Sequence, residues 1–121
     1  MHFDIPAADV TRAQAFYQDA FGWTITEVPG TDFKRVGTTP LDADGNLTES
    51  GAINGGMVPR QGPVQSPVVT VDVDDIDRAL ARIEQLGGKT VMGRRPAGRG
   101  FIAYFTDSED NLMGLWETAR N

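Results

Sequence analysis

The chain alternates between two rhythms of apolar and polar residues. Phe3 and Ile5 alternate with His2 and Asp4, and Val69, Val71 and Val73 alternate with Val68, Thr70 and Asp72, the period of two that marks a strand. After each run the apolar spacing lengthens to three and four. It places Val10, Ala13, Phe16, Tyr17, Ala20 and Phe21 on one stripe, and Ile76, Ala79, Leu80, Ile83 and Leu86 on another. Those stripes predict amphipathic helices. Asp9 and Asp75 stand where a carboxylate caps the first backbone N–H groups, and Gly22 and Gly87-Gly88 stand where each helix should end.

The two stretches are copies of one plan. Shifted by 66 residues, His2–Ile25 falls on Val68–Val91, so that Asp9 meets Asp75, Arg12 meets Arg78 and Thr24 meets Thr90. Ala13, Ala15 and Gly22 likewise meet Ala79, Ala81 and Gly88. Three strand-like runs follow each helix. They are Trp23–Val28, Phe33–Gly37 and Gly51–Val58 in the first half, then Lys89–Met92, Phe101–Thr106 and Leu112–Glu117 in the second. The expectation is one α+β domain over 1–121, with a βαβββ module at 1–58, a Pro/Gly-rich linker at 59–67 and a second βαβββ module at 68–121.

Composition narrows the possible functions. At 121 residues a single domain is the default. A net charge of −6 disfavours nucleic acid, which calls for a basic stripe, and is compatible with a cationic ligand. No apolar run approaches the ~20 residues of a membrane span, and no secretory signal pattern opens the chain. The absence of cysteine removes thiolate chemistry and Cys-based metal sites, and a reducing cytoplasm is the expected home. The segment Thr38–Ser50 contains "DADGN", but its glycine offset and the lack of a closing glutamate argue for a solvated loop over a calcium loop.

The segments "HFDIPAADVTRAQAFYQDAFGW", "GAINGGM", "VDVDDIDRALARIEQLGG" and "FIAYFTDSEDNLMGLWE", set in a tandem βαβββ repeat, resemble the vicinal oxygen chelate superfamily. That group embraces glyoxalase I, extradiol dioxygenases and bleomycin-resistance proteins. The resemblance covers almost the whole chain and is greatest to small glyoxalase-like members ending in a Gly-Leu-Trp strand. It implies two modules whose mixed sheet curls into an incomplete barrel, or cup, with helices outside and the ligand within. It also implies a homodimer.

In the metal-dependent members, ligands from the first and last strands of both modules converge on one divalent ion. The corresponding set here is His2, Asn54, Val68 and Gly114. Valine and glycine cannot coordinate through their side chains, and an amide is a weak ligand, so no metal and no other cofactor is expected. Glu117 also sits in the last strand, but three residues beyond Gly114 the period of two turns it to the opposite face.

The same alternation nominates His2, Asp4, Asn54, Thr70 and Trp116 as ligand-binding residues lining the cup, with Tyr104 joining them if its strand is pleated that way. Ala52, Gly56, Asp72, Leu112 and Gly114 share that face, and the glycines are expected to leave room. Phe3, Ile5, Ile53, Val69, Val71, Met113 and Leu115 should pack beneath the helices. Trp116 serves equally as core filling or as a stacking surface, and His2 as a strand-end residue or a ligand contact. Arg94, Arg95 and Arg99 of "MGRRPAGRGF" are expected in a solvated hairpin loop, with an anion clamp as the other reading.

Two functional readings follow. The first is a metal-free protein that binds a small molecule, aromatic or cationic, without nucleic-acid or membrane partners. The second is an enzyme of the same superfamily: a metal-independent isomerase, cyclase or lyase using His2, Asp4 or Tyr104, or else a metal-dependent lyase or dioxygenase.

Overall fold

A computed structural model describes residues 1–39, 43 and 52–120. The Thr38–Ser50 loop and the start of the run at Gly51 therefore lie largely outside the described residues. The chain divides into two compact units, His2–Pro67 and Val68–Asn121 with Met1. Both have the order strand, helix, three strands, and the class is α+β.

The first unit contains β1 (His2–Ala7), α1 (Val10–Phe21), β2 (Thr24–Glu27), β3 (Lys34–Gly37) and β4 (Gly55–Pro59). Its strands lie in the order β2-β3-β4-β1, with β1 and β4 parallel and the other pairs antiparallel. The second unit contains β5 (Val68–Asp72), α2 (Ile76–Gln85), β6 (Lys89–Ala97), β7 (Gly100–Thr106) and β8 (Leu112–Thr118). It repeats the arrangement as β6-β7-β8-β5, again with the first and last strands parallel. A helix between parallel strands is the crossover such a pair requires.

Both helices start as the sequence predicts. Asp9 and Asp75 cap them, each accepting at 3.0 Å from the N–H three residues on, in Arg12 and Arg78. α1 ends at Gly22, whose φ of 70° is the left-handed conformation that glycine adopts without strain. α2 ends one residue before the paired glycines, at Leu86.

In the second unit Ile76 and Leu80 of α2 pack on Ala103 and Leu115, with Val71, Phe101 and Phe105 around them. In the first, Ile25, Val36 and Met57 are buried beside Phe3, Val10, Tyr17 and Trp23. Full burial of Ile76 or Met57 contributes about 1.5–3 kcal/mol each. Tyr17 stacks on Trp23 at 5.3 Å with the rings 4° from parallel.

Several expectations need correction. Ile53 and Val69 are 41% exposed and do not pack beneath the helices. Phe16 and Phe21 are each 62% exposed, so the apolar stripe of α1 is wider than the surface it covers. β4 begins at Gly55, where its pairing with Phe3 starts, four residues later than the sequence suggests. The arginine segment is not a loop. β6 continues through Arg94 and Arg95 to Ala97, with register irregularities between Thr90 and Arg95, and only Arg99 lies in the turn to β7. The irregularity absorbs Gly93, and Pro96, in regular register with Phe101, is tolerated because β6 is an edge strand.

Candidate functional site

The register of the two parallel pairs fixes which residues are equivalent. Asp4 faces Gly56 across β1 and β4, and its repeat mate Thr70 faces Gly114 across β5 and β8. Gly114 therefore corresponds to Gly56, and the counterpart of Asn54 is Leu112. This shifts the sequence-based alignment by two residues. Leucine ligates no better than glycine, so the second unit still offers no ligand from these positions.

Neither glycine leaves open room. A Cβ on Gly56 would lie 2.8 Å from Asp4 Oδ1, and a Cβ on Gly114 would lie 2.5 Å from Thr70 Oγ1. The partner's side chain fills the space in both units, and Thr70 is fully buried as a result. This is the close approach for which a strand glycine is suited.

His2 and Asp4 share a face of β1 as strand neighbours two apart, and His2 Nε2 lies 3.6 Å from Asp4 Oδ2. Asn54 is engaged by the backbone. Its Oδ1 accepts from Thr38 N–H at 3.3 Å and its carbonyl from Phe3 N–H at 3.4 Å, which ties the ends of β3 and β4 together.

In the second unit Tyr104 pairs with Gly114, and Ile102 with Trp116. Directly paired residues of antiparallel strands share a face, so Tyr104, Thr70, Gly114 and Trp116 lie on the same side. Trp116 lies along that face toward Gly100, where a Cβ would come within 2.7 Å of the indole, and its Nε1 donates to Thr118 Oγ1 at 3.2 Å. Asp72 and Trp116, with Thr118 and Arg120, line an open depression of about 520 Å³. Asp72 Oδ2 also accepts from the Met1 ammonium at 2.8 Å, a pairing with no local signature.

Glu117 lies on the other side of the sheet, under the helix. Its Oε1 accepts from Ile76 N–H at 2.8 Å and its Oε2 from Arg94 at 3.0 Å. Arg94 stacks 3.5 Å from the Phe101 ring centroid. The Arg94 hydrogen bond, then the Ile76 N–H, holds the Glu117 carboxyl below its ordinary pKa, and Glu117 in turn raises that of Arg94.

A divalent metal does not fit this donor set. Asn54 Oδ1 accepts a backbone N–H, Glu117 is committed beneath α2, and Val68, Leu112 and Gly114 have no side-chain donors. Among the described residues no group of three or more histidine, aspartate or glutamate side chains is placed to hold an ion.

Comparison with known proteins agrees with the fold. The family model of the Glyoxalase/Bleomycin resistance protein/Dioxygenase superfamily matches residues 1–115. The chain belongs to this superfamily. A glyoxylase-like domain-containing protein from Didymella fabae is 31% identical over 118 residues, which is 93% of this chain and 88% of that protein. Among solved structures, a superfamily member from Vibrio splendidus 12B01 is 15% identical with a TM-score of 0.60, covering 98% of this chain and 97% of that one. Methylmalonyl-CoA epimerase from Mycobacterium tuberculosis is 19% identical with a TM-score of 0.64, covering 98% and 87%. At those identities the structural likeness establishes the fold, and no helix among the described residues is long and apolar enough to cross a membrane.

Proposed function

We propose that this superfamily member binds a planar small molecule without a metal, by stacking it on the face of the second unit that carries Trp116. The observation that supports this most is the commitment of Glu117. The carboxylate on the last strand is spent on the Ile76 N–H and on Arg94, while Trp116, one residue earlier, points to the opposite face and borders a depression with Asp72. An indole beside a few polar groups suits an aromatic ligand with one or two anchors.

The protein has two tryptophans, so the test uses Trp23→Phe, leaving Trp116 as the only indole emitter. Titration with aromatic compounds, in the presence of chelator, is expected to change Trp116 emission saturably for at least one compound class. No response from any class contradicts the reading.

A second reading has a specific observation in its favour, the His2–Asp4 contact at 3.6 Å. An imidazole within ion-pair distance of a carboxylate can take part in acid–base chemistry, and it would serve a metal-independent isomerase or lyase. A bell-shaped pH–rate profile that disappears in His2→Ala and weakens in Asp4→Asn supports this reading; unchanged turnover in both variants removes it.

A further inference from the structure

Arg94 and Arg95 are adjacent in sequence and turn to opposite faces of the strands of the second unit. Arg94 is held on its face by Glu117 and the Phe101 ring. Arg95 pairs with Ile102 on β7, Ile102 pairs with Trp116 on β8, and Trp116 pairs with Asp72 on β5. Paired positions share a face, so one transverse row carries Asp72, Trp116, Ile102 and Arg95 in that order. Strands lie about 4.8 Å apart, which puts the backbones of Arg95 and Trp116 roughly 10 Å from each other. That span is within reach of an arginine side chain and a stacked ring.

The charges in this row are unequally occupied. Asp72 already faces the Met1 ammonium. Arg95 is exposed, and among the described residues no carboxylate forms an ion pair with it. We infer that Arg95 is the anion anchor of the Trp116 site, so that its preferred ligand is an aromatic molecule bearing a carboxylate or similar planar anion. The guanidinium fork matches a carboxylate in two parallel hydrogen bonds. The Arg95 guanidinium then has to outweigh both the net charge of −6 and the carboxylates of Asp72 and Asp74 beside Trp116, which by themselves favour a cation. The register irregularity between Met92 and Arg95 belongs to the stretch of β6 that holds both arginines.

The inference rests on the stacking site proposed above, and one experiment separates the two. Three probes of one shape are titrated calorimetrically: naphthalene-2-carboxylate, 2-naphthamide and 2-naphthylmethylammonium. Wild type is expected to bind the carboxylate about fivefold more tightly than the amide, and the ammonium most weakly. Arg95→Gln should abolish that preference while leaving amide binding intact, and Arg95→Lys should keep part of it. Arg94→Gln, on the opposite face, should lower thermal stability and leave the preference unchanged. Equal binding of all three probes, tightest binding of the ammonium, or an unaltered preference in Arg95→Gln overturns the anchor and leaves the stacking site standing. If wild type binds none of the three, both proposals fail.

Discussion

Glu117 and Ile76 are 41 residues apart in sequence, and Glu117 Oε1 accepts the Ile76 N–H at 2.8 Å. This hydrogen bond anchors the last strand to the first turn of α2, adjacent to the Asp75 cap. It also turns the one carboxylate of β8 away from the face that carries Trp116. Fold stability and the absence of a metal ligand on that strand thus have a common cause.

The Glu117 carboxyl is held below its ordinary value of 4.5, by Arg94 first and by the Ile76 N–H second. A depressed folded-state pKa contributes stability that is fully present above the unfolded value and is lost as pH falls through the folded one. Urea unfolding should therefore show wild type more stable than Glu117→Gln at neutral pH, with the gap narrowing as pH falls below the ordinary carboxyl value of 4.5. A gap that does not vary with pH contradicts this account of the pair.

Gly114 is required by Thr70. A Cβ at position 114 would lie 2.5 Å from Thr70 Oγ1 and 3.3 Å from its Cβ and Cγ2. Gly114→Ala is expected to cost about 1–3 kcal/mol. Thr70→Ala removes the closest clashing atom, so a double-mutant cycle should show a favourable coupling of about 0.5–3 kcal/mol. Strict additivity in denaturant melts contradicts the contact.

Asp75 caps α2 through the Arg78 N–H at 3.0 Å, as Asp9 caps α1 through the Arg12 N–H. Asp75→Ala and Asp9→Ala should each lose about 1 kcal/mol, and Asp75→Asn much less, measured by urea unfolding. Loss of the same size in Asp75→Asn contradicts a capping role.

Much of this architecture was legible in the sequence. Asp9, Asp75 and Gly22 marked helix limits because capping is local, and the 66-residue repeat disclosed the second module because its apolar pattern was kept. Alternation also put Glu117 opposite Trp116. What could not be read was set by pairing between distant strands. The occupants of the spaces at Gly56 and Gly114 depend on register across β1/β4 and β5/β8, and an error of two residues aligned Asn54 with Gly114 where Leu112 belongs. The bulged path of β6 escaped notice because Gly93 and Pro96 carry turn signals that its pairing with β7 overrides. The tie from Asn54 to Thr38 spans the ends of two strands and has no local signature.

The central claim is that this superfamily member binds its ligand without a metal, and metal content tests it most directly. Protein dialysed against excess zinc, nickel or manganese, then freed of unbound ion, is analysed for metal before and after His2→Ala. The account predicts far less than one ion per chain in both samples, with no change in thermal stability on adding chelator. About one ion per chain, lost together with thermal stability in His2→Ala, contradicts it.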